Sequence, residues 1–110
     1  EIASRYTKGI HNPRIKLPQI PEGSTCVYHQ YVIRCEERDR LIEYLNEKEI
    51  GTIIHYPIPP HLAEAYRYLG HHEGDFPITE HLAKTVLSIP MYNGMTEDEQ
   101  NMVIDALNRF

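Results

Sequence analysis

One stretch of the chain gathers side chains able to hold a polar ligand: His55-Tyr56-Pro57-Ile58-Pro59-Pro60-His61. It follows a short apolar run and precedes a proline corner. Histidine and tyrosine each carry a hydrogen-bonding tip on an apolar body, which suits a sugar or a phosphate. The ends of strands in open α/β sheets are where such folds place ligand contacts. The competing reading of the same residues is core packing and fixing of the corner. A second candidate is the turn Pro90-Met91-Tyr92-Asn93-Gly94-Met95. There the simpler explanation is that Met91 or Met95 packs back onto the last helix as a gap-filler.

Other chemistries find less support. Seven histidines invite a metal site. His71 and His72 are adjacent, His55 and His61 are separated by a proline corner, and Cys26 and Cys35 sit at opposite ends of one run. None of these spacings matches a zinc pattern, so we expect no metal. His11, His71, His72 and His81 read as solvated surface residues. Ser4, Ser24 and Ser88 lack a nucleophile elbow. The six glycines are scattered singly, so there is no phosphate loop. Glu36-Glu37 and Glu97-Asp98-Glu99 read as helix-terminal and solvating carboxylates.

The elements that must position these residues come from 110 residues, enough for one domain or a piece of a larger one. A net charge of −5 argues against non-specific nucleic-acid binding, which runs on clustered Lys and Arg. No apolar run approaches the roughly 18 residues that span a bilayer. Two cysteines are too few for a disulfide framework and suit a reducing, cytoplasmic compartment. The sequence starts at Glu1 rather than Met, and we read it as a piece of a longer polypeptide.

Periodicity predicts the order strand–helix–strand–helix–helix–strand–helix. Residues 1–9 look like the tail of a helix stopped by Gly9, and 10–24, with three prolines, like an extended connector. Cys26 to Arg34 carries apolar bulk on both faces and predicts a central strand, or one covered on both sides. A helix over Glu36 to Ile50, with Leu41, Ile42, Leu45 and Ile50 inward, stops at Gly51. A second strand spans Thr52 to Tyr56. A helix from His61 to Leu69 ends at Gly70. Thr79 caps a short helix, Val86 to Pro90 forms a strand, and Thr96 with Glu99 makes a capping box. The last helix turns Met102, Val103, Ala106, Leu107 and Phe110 inward. The fold class is a small α/β (α+β) sandwich, helices packed on one small sheet.

Several of these runs resemble, in order, one family. Val27-Tyr28-His29-Gln30-Tyr31-Val32-Ile33-Arg34 resembles its "VYH-x-YVIR" strand, and Arg38-Asp39-x-Leu41 the helix start that follows. Ile50 to His61 resembles its "GI-x-T-x-x-HYP-x-P-x-H" stretch. Gly74-Asp75-Phe76-Pro77, Leu87-Ser88-Ile89-Pro90-Met91-Tyr92 and Met95-Thr96-Glu97 continue it. The chain is thus similar, over nearly its whole length, to the C-terminal small domain of the sugar aminotransferases of the DegT/DnrJ/StrS group. These are pyridoxal-phosphate enzymes of the aspartate-aminotransferase fold type. Glu49, Pro60 and Asn93 depart from the family pattern, at helix ends or in loops.

The resemblance implies a full-length enzyme that moves an amino group, usually from L-glutamate, to a keto sugar on a nucleotide diphosphate, as in polysaccharide or deoxysugar synthesis. It implies that the cofactor lysine and most cofactor contacts lie in a large N-terminal domain. Lys8, Lys16, Lys48 and Lys84 do not match the cofactor-lysine motif, so no catalytic residue is assigned. His55 and Tyr56 are the implied substrate-binding residues. His29, Tyr31 and His61 are implied cleft or interdomain contacts. Residues 1–24 would be the remnant of an interdomain helix with its connector, and 25–110 the small domain. The implied partners are that large domain and, at full length, a second copy. A stand-alone, non-catalytic interaction module reusing this domain remains the alternative.

Overall fold

The computed structural model describes residues 1–110. Seven regular elements organise it: α1 (Ile2–Gly9), β1 (Ile15–Lys16), β2 (Tyr31–Cys35), α2 (Arg38–Glu47), α3 (Pro77–Thr85), β3 (Val86–Ile89) and α4 (Glu97–Arg109). The three strands form one antiparallel sheet in the order β1-β2-β3, with Tyr31 opposite Ile89 and Ile33 opposite Leu87. This is an α/β arrangement of helices on a small sheet. No helix is long and apolar enough to cross a membrane.

Strand alternation decides where the core lies. Tyr31, Ile33 and Cys35 of β2, with Leu87 and Ile89 of β3, point to one face and are buried. They join one cluster with Ala3 and Tyr6 of α1, Leu41 and Leu45 of α2, and Val103, Ala106 and Leu107 of α4. The opposite face carries the half-buried Val32 and Val86, the exposed Arg34 and the buried Ser88, which the Ile53–His55 segment covers. The expectation of a covering on both faces is therefore corrected for β2 within these residues.

The central strand is real but shorter than its composition suggests. It starts at Tyr31, not Cys26, and Val27 is 95% exposed. Tyr31 pairs with Ile89, so the next rung would need Pro90, which has no N–H to donate. Tyr28, at φ 49°, turns the chain away. The expected strand over 52–56 reduces to one bridge, in which Ile53 and Ser88 exchange both backbone hydrogen bonds. Pro57, Pro59 and Pro60 offer no further donors.

Other boundaries also move. The expected helix over 61–69 is two 3-10 turns, Pro60–Leu62 and Glu64–Leu69, with no buried residue, although Gly70 does close the second in the left-handed region. α2 ends at Glu47, and Glu49, at φ 60°, rather than Gly51, makes the left-handed turn. α3 starts at Phe76-Pro77, two residues before Thr79; proline suits the first helical position because that N–H has no intrahelical partner. The capping box of α4 forms as read, Glu99 N–H donating to Thr96 Oγ1 at 3.2 Å and Thr96 N–H to Glu99 Oε2 at 2.7 Å. Met102 is the exception on α4's inner stripe and stays half exposed.

The connector over 10–24 is tied down at its start. Asn12 Nδ2 donates to Leu107 O at 2.8 Å, and Asn108 Nδ2 to Gly9 O at 2.8 Å. Ile15 begins β1 opposite Cys35. Arg38, at the head of α2, is buried and donates to the Ala83 carbonyl of α3, while its Nε reaches Asp39 Oδ1 at 2.9 Å.

At the centre stands Tyr6, fully buried, its ring edge-on to Tyr31 at 5.3 Å and its hydroxyl donating to Pro90 O at 2.6 Å. Tyr6→Phe strands that carbonyl and should lower stability by about 1–3 kcal/mol. The urea midpoint of the variant measures this; a shift indistinguishable from zero would show that the hydroxyl does not bear on Pro90.

Candidate functional site

Two adjoining grooves flank the segment after β3. The first, about 560 Å³, runs between the Ile50–His55 segment, Ser88–Tyr92 and α4. Its lining is largely apolar, with Ile50, Ile53, Met91, Met95 and Met102 among it, and His29 and His55 are among its polar residues. The second, about 750 Å³, lies between the start of α1, residues 26–29 and the 91–97 turn. His29, Met91, Tyr92 and Met95 border both.

His55 reaches the first groove because the Ile53–Ser88 bridge pins its segment to the edge of β3. Two residues beyond the bridge, the half-buried ring sets Nδ1 at 2.9 Å from Ser88 Oγ. The His55–Tyr56 peptide is cis. Tyr56 itself is 73% exposed and lines neither groove; its ring stands edge-on to His55 at 5.4 Å.

The remaining sequence candidates separate. His29 is exposed at the junction of the two grooves. Tyr31 is fully buried, its hydroxyl 2.9 Å from Thr7 Oγ1 and its ring stacked on Tyr28 at 5.8 Å. Burial pushes its phenol above the ordinary range. It supports the groove from beneath and does not line it. His61 lines neither groove, its side chain only 7% exposed in the corner before α3. The structure thus sets His29 and His55 on one groove, keeps Tyr56 against the His55 ring but outside that groove, and places Tyr31 and His61 elsewhere.

Two residues of the groove escaped the sequence reading. Motif spacing speaks to Ser88 only as a nucleophile. The signal was its place as one small polar residue inside Val86-Leu87-Ser88-Ile89, where a buried hydroxyl needs a partner. Glu99 was read as a cap, and it is one. Its carboxylate also lies beside Tyr92 and holds that phenol above its ordinary range.

No lysine lines either groove, and Lys8, Lys16, Lys48 and Lys84 are all exposed. The chain's own residues therefore do not fit a cofactor tied through lysine.

The His61 corner is held by one carboxylate. Glu80 Oε1 accepts from Gly74 N–H at 2.7 Å and Oε2 from Phe76 N–H at 3.1 Å, with His61 Nε2 3.5 Å away. Phe76 packs edge-on against the His61 ring at 4.8 Å. The Gly74 N–H first, then Phe76 N–H and His61, hold the Glu80 carboxyl below the usual carboxylate range despite its burial. A depressed carboxylate adds stability above its unfolded value, about 4.3, and loses it as pH falls through the lower folded value. Glu80→Gln should therefore melt below the wild type near pH 7, and the gap should close near about pH 3. A gap of equal size at both pH values in thermal melts would show that the charge is not what holds the corner.

Comparison with known proteins places this geometry. The chain is 40% identical, over all of its 110 residues, to the dTDP-3-amino-3,6-dideoxy-alpha-D-galactopyranose transaminase of Aneurinibacillus thermoaerophilus, and covers 30% of that protein. It is 34% identical to the dTDP-3-amino-3,4,6-trideoxy-alpha-D-glucose transaminase of Streptomyces venezuelae, covering 99% of this chain and 29% of that one. The crystal structure of S. venezuelae DesV in complex with a ketimine intermediate superposes with a TM-score of 0.93 at 35% identity, over 98% of this chain and 29% of the other. The chain thus spans about 30% of the length of the curated relatives it matches. The sequence pattern of the DegT/DnrJ/EryC1/StrS aminotransferase family covers residues 1–108, and the chain belongs to that family.

Proposed function

We propose that these residues are the C-terminal small domain of a nucleotide-sugar aminotransferase, with residues 1–24 the end of an interdomain helix and its connector, and 25–110 the domain proper. The intact enzyme transfers an amino group, from L-glutamate, to a keto sugar carried on a nucleotide diphosphate. Support comes from family membership and from relatives whose names specify dTDP-linked amino sugars.

The cofactor of this reading is pyridoxal phosphate, held by a large domain outside these residues; no step through it is derived from this chain. What this chain contributes is binding. The observation that carries the reading is the half-apolar groove with His55 fixed at its wall and His29 at its mouth. The apolar lining suits the carbon faces of a sugar, and the ring nitrogens suit its oxygens or the diphosphate. Tyr56, projecting from the same corner, is the second binding residue. Tyr31 and His61 act as supports. In the intact polypeptide, the open sheet face of Val32 and Val86 completes a sandwich against a further layer, and two copies associate as a cytoplasmic homodimer.

In the full-length enzyme, His55→Ala and Tyr56→Phe should each weaken binding of the nucleotide-linked keto sugar. One lost hydrogen bond is worth about 1 kcal/mol, a roughly fivefold change. Loading of pyridoxal phosphate, followed by absorbance, should be unchanged. Sugar affinity equal to wild type in both variants would remove these residues from the site.

A further inference from the structure

The hydroxyl of Ser88 is committed by its surroundings. Ser88 is buried in β3, and its backbone N–H and C=O are both used by Ile53, at 2.8 and 3.2 Å. Its face of the sheet presents Val32 opposite it and Val86 two residues away, neither of which can accept a hydrogen bond. The one partner of the hydroxyl is His55 Nδ1, at 2.9 Å. A neutral imidazole has one donor and one acceptor nitrogen. Were Nδ1 protonated, it would donate to Ser88 Oγ and leave the serine's own proton without an acceptor in the chain, an arrangement that polar groups of folded proteins avoid. With Nδ1 as the acceptor, the serine proton is satisfied and the ring carries its hydrogen on Nε2, the nitrogen without a partner in the chain.

We infer that Ser88 is a positioning residue for His55: its hydroxyl donates to Nδ1, fixes the Nε2–H tautomer, and so makes His55 a hydrogen-bond donor toward an oxygen of the bound nucleotide-linked sugar. This rests on the reading of His55 as a substrate-binding residue and specifies its chemistry. The ligand atom it meets is an acceptor: a carbonyl, hydroxyl or phosphate oxygen. The bridge to Ile53 matters for the same reason, because it holds both partners of the hydrogen bond on adjacent backbone segments.

The test uses the full-length enzyme with its histidines labelled with nitrogen-15. Long-range proton–nitrogen correlations within the imidazole report which ring nitrogen of His55 carries the proton. The Nε2–H form is expected for the neutral ring, and the Nδ1–H form overturns the inference. In Ser88→Ala the Nε2–H population should fall. KM for the nucleotide-linked keto sugar should rise roughly fivefold, more than kcat falls, as for one lost or misdirected hydrogen bond. Three outcomes separate the two readings. A raised KM in both His55→Ala and Ser88→Ala supports both. A raised KM in His55→Ala with unchanged KM and tautomer in Ser88→Ala overturns the positioning role alone. An unchanged KM in His55→Ala overturns the binding reading, and with it this one.

Discussion

The buried phenol of Tyr6 is the constraint on which the arrangement turns. It leaves the first helix, crosses the core edge-on to Tyr31, and ends on the Pro90 carbonyl, with Met95 Sδ 3.5 Å from the Tyr6 hydroxyl. A hydroxyl this deep must be partnered, and burial first of all, with Tyr92 and Tyr31 adding to it, pushes the phenol well above its ordinary range. The hydrogen bond therefore fixes where the chain goes after β3. Because residues 90–95 wall both grooves, a helix at the start of the sequence determines the shape of a cleft formed near its end.

A second constraint is subtractive. Pro90 has no N–H, so the ladder between β2 and β3 stops at Tyr31 and Ile89. What would have been a longer sheet instead opens. Residues 26–30 and Met91-Tyr92 form no ladder, and both segments border a groove. The space between is the cleft. Side chains that the strand pattern placed on a covered sheet, His29 among them, stand at its mouth instead.

What was legible in the sequence was local. The Thr96–Glu99 box and the inward positions Val103, Ala106 and Leu107 are encoded within one or two turns, and local motif and periodicity find them. The family resemblance, carried by ordered short runs, is upheld by the match over residues 1–108. Less legible were features that depend on a distant partner. Cys26 to Gln30 has the composition of a strand but no edge to pair with. The 61–69 segment has helical spacing but no surface to bury its stripe against, so Leu62, Tyr66 and Leu69 stay exposed. Ser88 and Glu80 looked like ordinary strand and helix residues. Only the fold shows that one meets a histidine 33 positions away and the other collects two loop amides.

The corner at His55 and Tyr56 also divides the molecule in its motions. His55 is moored to β3, whereas in the chain from Tyr56 to Phe76 the His61 side chain is the one clearly buried group. Segments so thinly packed open at a small fraction of the free energy needed to unfold the core. Amide hydrogens of the 3-10 turns will therefore exchange with solvent through brief local openings, while that of Ser88, inside β3 and bonded to Ile53, opens less readily. The two neighbouring side chains consequently belong to different dynamic regimes: an imidazole that keeps its place, and a phenol that rides on a segment free to fluctuate around it.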